Sequence, residues 1–181
     1  TEVADKHIDA TWMEKTAMRA LIAECLNDNS IVEVTDEFTQ AGVDATRLAL
    51  EVCRIWMETH TPPRSLLLAP TVPLVRQHFD VAKSEFSSLT AAQIIGGGKV
   101  DNWGKEDWSD VVHQHNMIIT TPQLLLDALD AQYIRLSVFS ILAVNECQHC
   151  AGGHPLATIF SEHYSQGDPM LNQIRVLGLS R

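Results

Sequence analysis

The sequence is poor in several features that would mark a specialised class of protein. Its 181 residues include four cysteines, 13 basic side chains against 23 acidic ones, and no uninterrupted apolar run as long as a bilayer span. So few cysteines argue against a disulfide scaffold, and the missing apolar run argues against a membrane helix. The formal charge of −10 disfavours strong binding to nucleic acid or an anionic membrane by the chain as a whole.

What is present is the composition of one globular domain. Apolar residues make up 45% of the chain and charged residues 20%, and a chain of this length can bury a sizeable core. No signal-peptide pattern opens the sequence, so we expect an intracellular protein, cytoplasmic or nuclear. Thr1 is not an initiator methionine, and both a processed form and an excised piece of a longer protein stay open.

Short apolar runs alternate with segments of helical spacing, which predicts an α/β fold. We treat residues 1–181 as one domain with a mostly parallel sheet and helices on both faces. The predicted strands are 31–34, 65–69, 91–95, 117–120, 138–144 and 174–179, and the predicted helices are 8–27, 44–58, 73–86, 105–114, 122–129 and 155–164. In such a sheet, chemistry belongs at the carboxyl ends of the strands.

The segment after the first strand tests the idea of a phosphate-binding loop. Such a loop needs glycines, a lysine for the phosphates and a Ser or Thr for Mg²⁺. In Gln40-Ala41-Gly42-Val43-Asp44-Ala45-Thr46 only Gly42 and Thr46 fit. Ala45 stands at the lysine position, and the Asp44 carboxylate would repel phosphate. The residues alone therefore predict an ordinary turn in which Asp44 caps the next helix.

The segment after strand 138–144 is the second candidate site. An acidic pair at a strand end can hold Mg²⁺ and activate a water, but here Glu146 is the one acid and Asn145 is a weak ligand. Cys147 and Cys150, with His149 nearby, suggest zinc by their spacing. No second ligand pair lies close in sequence, so we predict half-buried thiols and no metal.

The remaining polar and aromatic clusters have simpler interpretations. His113 and His115, at the end of a predicted helix, are expected to be surface residues. Trp103 and Trp108 could stack on a ligand, but packing within their loop is the preferred interpretation.

Taken in order, the strand ends resemble a known family. Residues 68–75 (LAPTVPLV), with Pro70 and Thr71, resemble motif Ia of superfamily 2 RNA helicases, and Thr121, Pro122 and Gln123 open a stretch similar to the Ib region. Residues 145–150 (NECQHC) resemble motif II, and 176–180 the strand before motif III. The match covers about residues 20–181. It implies a RecA-like three-layer domain, most similar to the amino-terminal helicase domain of fungal Dicer-like proteins in RNA silencing.

The departures from the family pattern concentrate on the ATP motifs. The family has Gly-Ser-Gly-Lys-Thr where this chain has residues 42–46, so Gly42, Asp44 and Thr46 form a degenerate cofactor loop. Glu146, the water-activating carboxylate by resemblance, is kept, and with His149 it would be the catalytic pair if an activity survives. The other replaced positions are Asn145 for Asp, Gln148 for His, Arg181 for a small residue, and Met18 near the adenine-reading Gln.

Three functions stay open. The first is a degenerate helicase domain without Mg-ATP hydrolysis or unwinding, acting as a binding or scaffold module, since the family completes its ATP site between two domains. The second is an enzyme that uses the vacated pocket on another small molecule. The third is a weak nucleotide-binding or ATPase domain of a longer Dicer-like protein.

These alternatives carry expectations about ligands. We expect no cofactor, with Mg-ATP bound only if the degenerate loop still works. We expect a protein partner, or self-association through the face that would meet a second helicase domain. RNA contact by Pro70, Thr71, Thr121, Pro122 and Gln123 is implied by the resemblance but disfavoured by net charge, and no membrane is expected.

Overall fold

The computed structural model describes residues 22–23, 30–33, 44–164 and 173–180, with the backbone alone for residues 30–33. Six strands form one sheet in the order β1-β6-β5-β2-β4-β3, and every neighbouring pair is parallel. The strands are β1 (Ser30–Glu33), β2 (Ser65–Leu68), β3 (Ala91–Ile94), β4 (Met117–Thr120), β5 (Ile141–Asn145) and β6 (Arg175–Ser180).

Helices connect the strands. They are α1 (Ala45–Thr59), α2 (Val72–Glu85), α3 (Lys105–Gln114), α4 (Pro122–Asp130) and α5 (Pro155–Thr158), and α5 continues into a π-helical segment, Ile159–Tyr164. Short 3-10 turns lie at Val100–Asn102, Leu136–Val138 and Cys147–His149. Among the described helices, none has both the length and the apolar character that crossing a bilayer needs.

The sheet is buried on both faces, which makes the domain three-layered. One core cluster joins α1 and α2 to side chains such as Leu67 and Ile119, and the other joins α3, α4 and α5 to Leu66 and Ile118. Successive side chains of a strand point to opposite faces. All positions of β2, β4 and β5 are buried, which explains why these strands are continuous apolar runs rather than alternating ones.

The predicted α/β class, parallel sheet and helices on both faces are confirmed. One strand boundary was wrong. The strand predicted from residue 138 begins at Ile141, because Leu136–Val138 forms a 3-10 turn. The helix predicted over 155–164 spans these residues, with α-geometry to Thr158 and π-helical geometry beyond it. The predicted helix 8–27 lies outside the described residues except at 22–23, which are helical.

Candidate functional site

Parallel pairing brings the sequence-predicted segments to one edge of the sheet. Leu68 of β2 is in register with Thr120 of β4 and with Val144 of β5, and Asn145 is in register with Leu179 of β6. The residues that follow these strands therefore lie side by side at their carboxyl ends, which is where ligands bind in open parallel sheets.

Asp44 closes the first turn of α1. It is the N-cap residue in extended conformation, and its carboxylate accepts a hydrogen bond from the Thr46 backbone N–H at 2.7 Å. Amide groups at a helix start are unpaired within the helix and attract anions. In this domain the chain's own carboxylate occupies that anion position, as the sequence predicted for an Asp44 cap.

An ion-pair network holds Asp44 in place. Arg47 donates to Asp44 at 2.9 Å and, through two further nitrogens, to both oxygens of Glu85 on α2 at 2.7 and 2.6 Å. The Arg47 hydrogen bond is the main cause that lowers the pKa of the Glu85 carboxyl. The network ties the start of α1 to the end of α2.

A buried hydrogen-bond network joins Thr46, in the degenerate cofactor loop, to Asn145, in the motif II segment. Thr46 Oγ1 lies 2.9 Å from His78 Nδ1, and His78 Nε2 lies 3.1 Å from Asn145 Nδ2. Thr46, His78 and Asn145 are 5%, 1% and 6% exposed. If the Asn145 amide donates to Nε2, a neutral His78 donates from Nδ1 to the threonine hydroxyl. The positions that hold Mg²⁺ in the family, by resemblance, are thus bridged by an imidazole.

His78 is the residue that the sequence analysis missed. It lies on the inner face of α2, where Val75 and Ala82 are also fully buried. A helical spacing of three and four residues between these positions could have placed His78 in the core. Buried polar side chains need partners, but the spacing on α2 does not indicate which residues supply them.

The motif Ia and Ib residues lie together at the same edge. Thr71 is the N-cap of α2, with a proline in its first turn, and Thr121 is the N-cap of α4, with Pro122 next. The Thr121 hydroxyl accepts from Leu124 N at 3.5 Å, and Gln123 Nε2 donates to Asp127 at 2.8 Å. The structure therefore places Pro70, Thr71, Thr121, Pro122 and Gln123 at one edge of the sheet, and their contact with nucleic acid stays a prediction.

The motif II segment leaves β5 in a tight turn. Glu146 is half-buried and has a left-handed backbone with φ of 56°, a conformation that costs a non-glycine residue about 1 kcal/mol or more. Cys147 and Cys150 are unpaired by disulfide and half-buried, as predicted. Burial raises the pKa of both thiols, which favours their protonated form.

Several predicted residues lie outside the described parts of the chain. These are Gly42 with the rest of the loop 40–43, the side chain of His149, Met18 and Arg181. The structure therefore leaves the proposed pairing of Glu146 with His149 untested. Trp103 and Trp108 pack edge to face with ring centroids 5.9 Å apart, and Trp108 is buried, in agreement with their predicted packing role.

Comparison with known proteins places this geometry in a family. Residues 44–180 match the model of the DEAD/DEAH box helicase family. The chain is 30% identical over 98% of its length to Dicer-like protein 2 of Phaeosphaeria nodorum, and 32% identical over 95% to Dicer-like protein 2 of Cryphonectria parasitica. A plant relative, Endoribonuclease Dicer homolog 3b of Oryza sativa, is 32% identical over 83% of the chain. The chain spans 9 to 12% of the length of these relatives.

A solved structure supports the fold. The Pyrococcus furiosus Hef helicase domain superposes with a TM-score of 0.72 at 24% identity, and the match covers 91% of this chain and 32% of that one. The class defined by sheet, edge and motif order is a RecA-like helicase domain. The chain belongs to the DEAD/DEAH box helicase family and is similar to Dicer-like proteins of both fungi and plants.

Proposed function

We propose that this domain is a helicase-type domain that has lost Mg-ATP hydrolysis and unwinding and acts as a binding or scaffold module. The observation that carries the proposal is the Asp44 carboxylate, which accepts from Thr46 N at 2.7 Å. A phosphate at the same helix start would meet a negative charge in place of free amides. Near a protein surface two like charges about 4 Å apart repel by roughly 4 kcal/mol, although the Arg47 pair and partial exposure reduce this value.

The second support is the buried chain of Thr46, His78 and Asn145. Mg²⁺ takes oxygen ligands and is usually held by one or two carboxylates together with the substrate phosphates. Here the threonine hydroxyl and the Asn145 amide are both engaged with His78, and Ala45 supplies no cation. These residues do not fit a magnesium nucleotide, because they supply neither a cation for the phosphates nor a carboxylate at position 145 for the metal.

Calorimetry with Mg-ATP tests the loss of nucleotide binding. The wild-type chain is expected to give no saturable binding, whereas the variant Asp44→Gly/Ala45→Lys/Asn145→Asp is expected to bind at least about 100-fold more tightly. Each restored charged hydrogen bond contributes about 1.5–3 kcal/mol, and 1.4 kcal/mol is tenfold in affinity. The matched control carries Ala45→Met with the other two changes, so that bulk is added without charge.

The outcome separates the alternatives. Saturable wild-type binding with a Kd below about 10 μM would contradict the proposal and indicate a weak nucleotide-binding or ATPase domain. A parallel titration with double-stranded RNA decides between the two kinds of module. RNA binding without ATP binding identifies an RNA-docking domain, and silence with both ligands favours a protein partner.

A further inference from the structure

A groove away from the ATP motifs has the features of a ligand site. It lies between α3 and the segment 131–138, which joins α4 to β5, and it has a volume of about 470 Å³. Buried Trp108 and Val112 form apolar lining, and exposed Lys105, Tyr133 and Arg135 also line it. This volume lies within the range of about 300–1,000 Å³ that is usual for ligand pockets.

The charge of this groove is opposite to that of the chain. Its fixed charges are Lys105 and Arg135, and no acidic side chain is among its described lining residues, in a chain with a net charge of −10. At about 100° per residue, Asp107 and Asp110 of α3 project away from the lining side, and Asp107 accepts from Gly104 N at 2.9 Å. Glu106, about 100° around the helix from Lys105, stands at the margin of the lining side. The groove is therefore a local cationic site.

His113 adds a third polar group. Its Nδ1 lies 2.6 Å from the Ser109 carbonyl oxygen, so that nitrogen carries a proton and donates to the carbonyl. This bond holds the imidazole against its own helix, where the ring forms part of the groove wall.

Tyr133 gives the groove an exposed aromatic rim. Among the described residues, Tyr133 is the exposed large hydrophobic residue, with 37% of its surface accessible to solvent. The preceding Gln132 has a left-handed φ of 59°, and Tyr133 N donates to the Ala128 carbonyl oxygen at 2.9 Å, which fixes the turn. Tyrosine and arginine dominate binding energy in interfaces because they combine large area with polar ends.

We propose that this groove binds a short acidic peptide segment of a protein partner. Carboxylates of the segment pair with Lys105 and with the guanidinium of Arg135, which can hold a carboxylate through two parallel bonds. An apolar side chain of the segment packs between Tyr133 and the Trp108 lining. Two fixed cations are too few for a nucleic-acid footprint, which depends on many phosphate contacts, whereas they match one short acidic motif. The proposal is independent of ATP binding, so it and the proposed function fail separately.

A selection from random 12-residue peptides displayed on phage tests the proposal. Peptides enriched on the wild-type chain are expected to combine Asp or Glu with an aromatic or aliphatic residue. A synthetic copy should bind K105E/R135E at least about tenfold more weakly, because like charges then face each other. The matched control K83E/K99E carries the same charge change on exposed residues that do not line the groove, and it should bind as the wild type does.

Other outcomes overturn the proposal. Enriched peptides without acidic bias, equal binding to K105E/R135E and the wild type, or no enrichment would each contradict it. Binding of a short RNA duplex to the wild type and to K83E/K99E, but not to K105E/R135E, would also contradict the proposal. The groove would then bind RNA phosphates instead of a peptide. Tyr133→Ser keeps both charges and should also weaken the peptide. It serves as the second variant if the charge reversal disturbs folding, which urea denaturation checks.

Discussion

Helices α1, α2 and α4 all begin at the carboxyl edge of the sheet, but the first differs from the other two in what its start presents. At α1 the Asp44 carboxylate caps a backbone amide of the first turn, and Arg47 donates hydrogen bonds to both Asp44 and Glu85. At α2 and α4 the N-cap residues are Thr71 and Thr121, and no acidic residue lies in the described first turn of either helix. The fold starts three helices at this edge, and the side chain at each cap decides whether the start favours an anion.

The largest expected effect comes from breaking the buried chain beneath the closed helix start. His78→Ala should lower the free energy of unfolding by about 3 kcal/mol, because Thr46 and Asn145 lose partners in a buried site and each unpaired group costs about 1–3 kcal/mol. Urea denaturation measures the change, with His113→Ala on the exposed side of α3 as the control. A loss below about 1 kcal/mol would mean that the hydrogen bonds of His78 contribute little to the free energy of unfolding. His78→Gln should recover part of the loss.

The cap itself gives a smaller effect. Asp44→Ala should destabilise the domain by about 1 kcal/mol, because an N-cap acceptor is removed. Asp44→Asn keeps an acceptor and should retain most of that stability while removing the negative charge. If Asn destabilises as much as Ala, the charge and its pairing with Arg47, rather than the capping bond, stabilise the helix start.

The reciprocal change closes an open helix start. Thr121→Asp keeps a good N-cap, so the stability should change by less than about 0.5 kcal/mol. Any affinity for double-stranded RNA at this edge should fall about threefold or more, because a carboxylate then faces the phosphates. Thr121→Asn is the uncharged control, and fluorescence anisotropy at two salt concentrations provides the measurement. Equal RNA affinity in all three proteins would show that the start of α4 does not contact RNA.

The smallest effect concerns acid stability. The pKa of Glu85 is lowered in the folded state, so its pairing with Arg47 stabilises the fold above the unfolded pKa and is lost as pH falls through the folded value. Arg47→Gln should therefore make the urea midpoint slightly less sensitive to acid than it is in the wild type. The comparison runs from pH 5 to pH 3, because the ordinary carboxyl pKa of glutamate is about 4.3. An unchanged acid profile would show that the exposed pair contributes nothing measurable.

Most of the sheet could be predicted from sequence, because fully buried parallel strands such as Met117–Thr120 are short apolar runs between helical segments. The Asp44 cap was predictable for a local reason, since a helix start and its capping side chain are close in sequence. The His78 bridge was not, because its partners Thr46 and Asn145 lie 32 and 67 positions away. The groove at Tyr133 was also missed, because its two sides come from separate segments.

The position of β6 has a consequence for how the domain forms in the cell. This strand, the last in the described chain, is inserted between β1, the first, and β5. During synthesis from the amino terminus, the sheet therefore has a gap until residues 175–180 have left the ribosome. Until then β1 has no described neighbour and one edge of β5 is open. Exposed strand edges invite pairing with other chains, so a nascent or truncated form should depend on chaperones far more than the finished domain does.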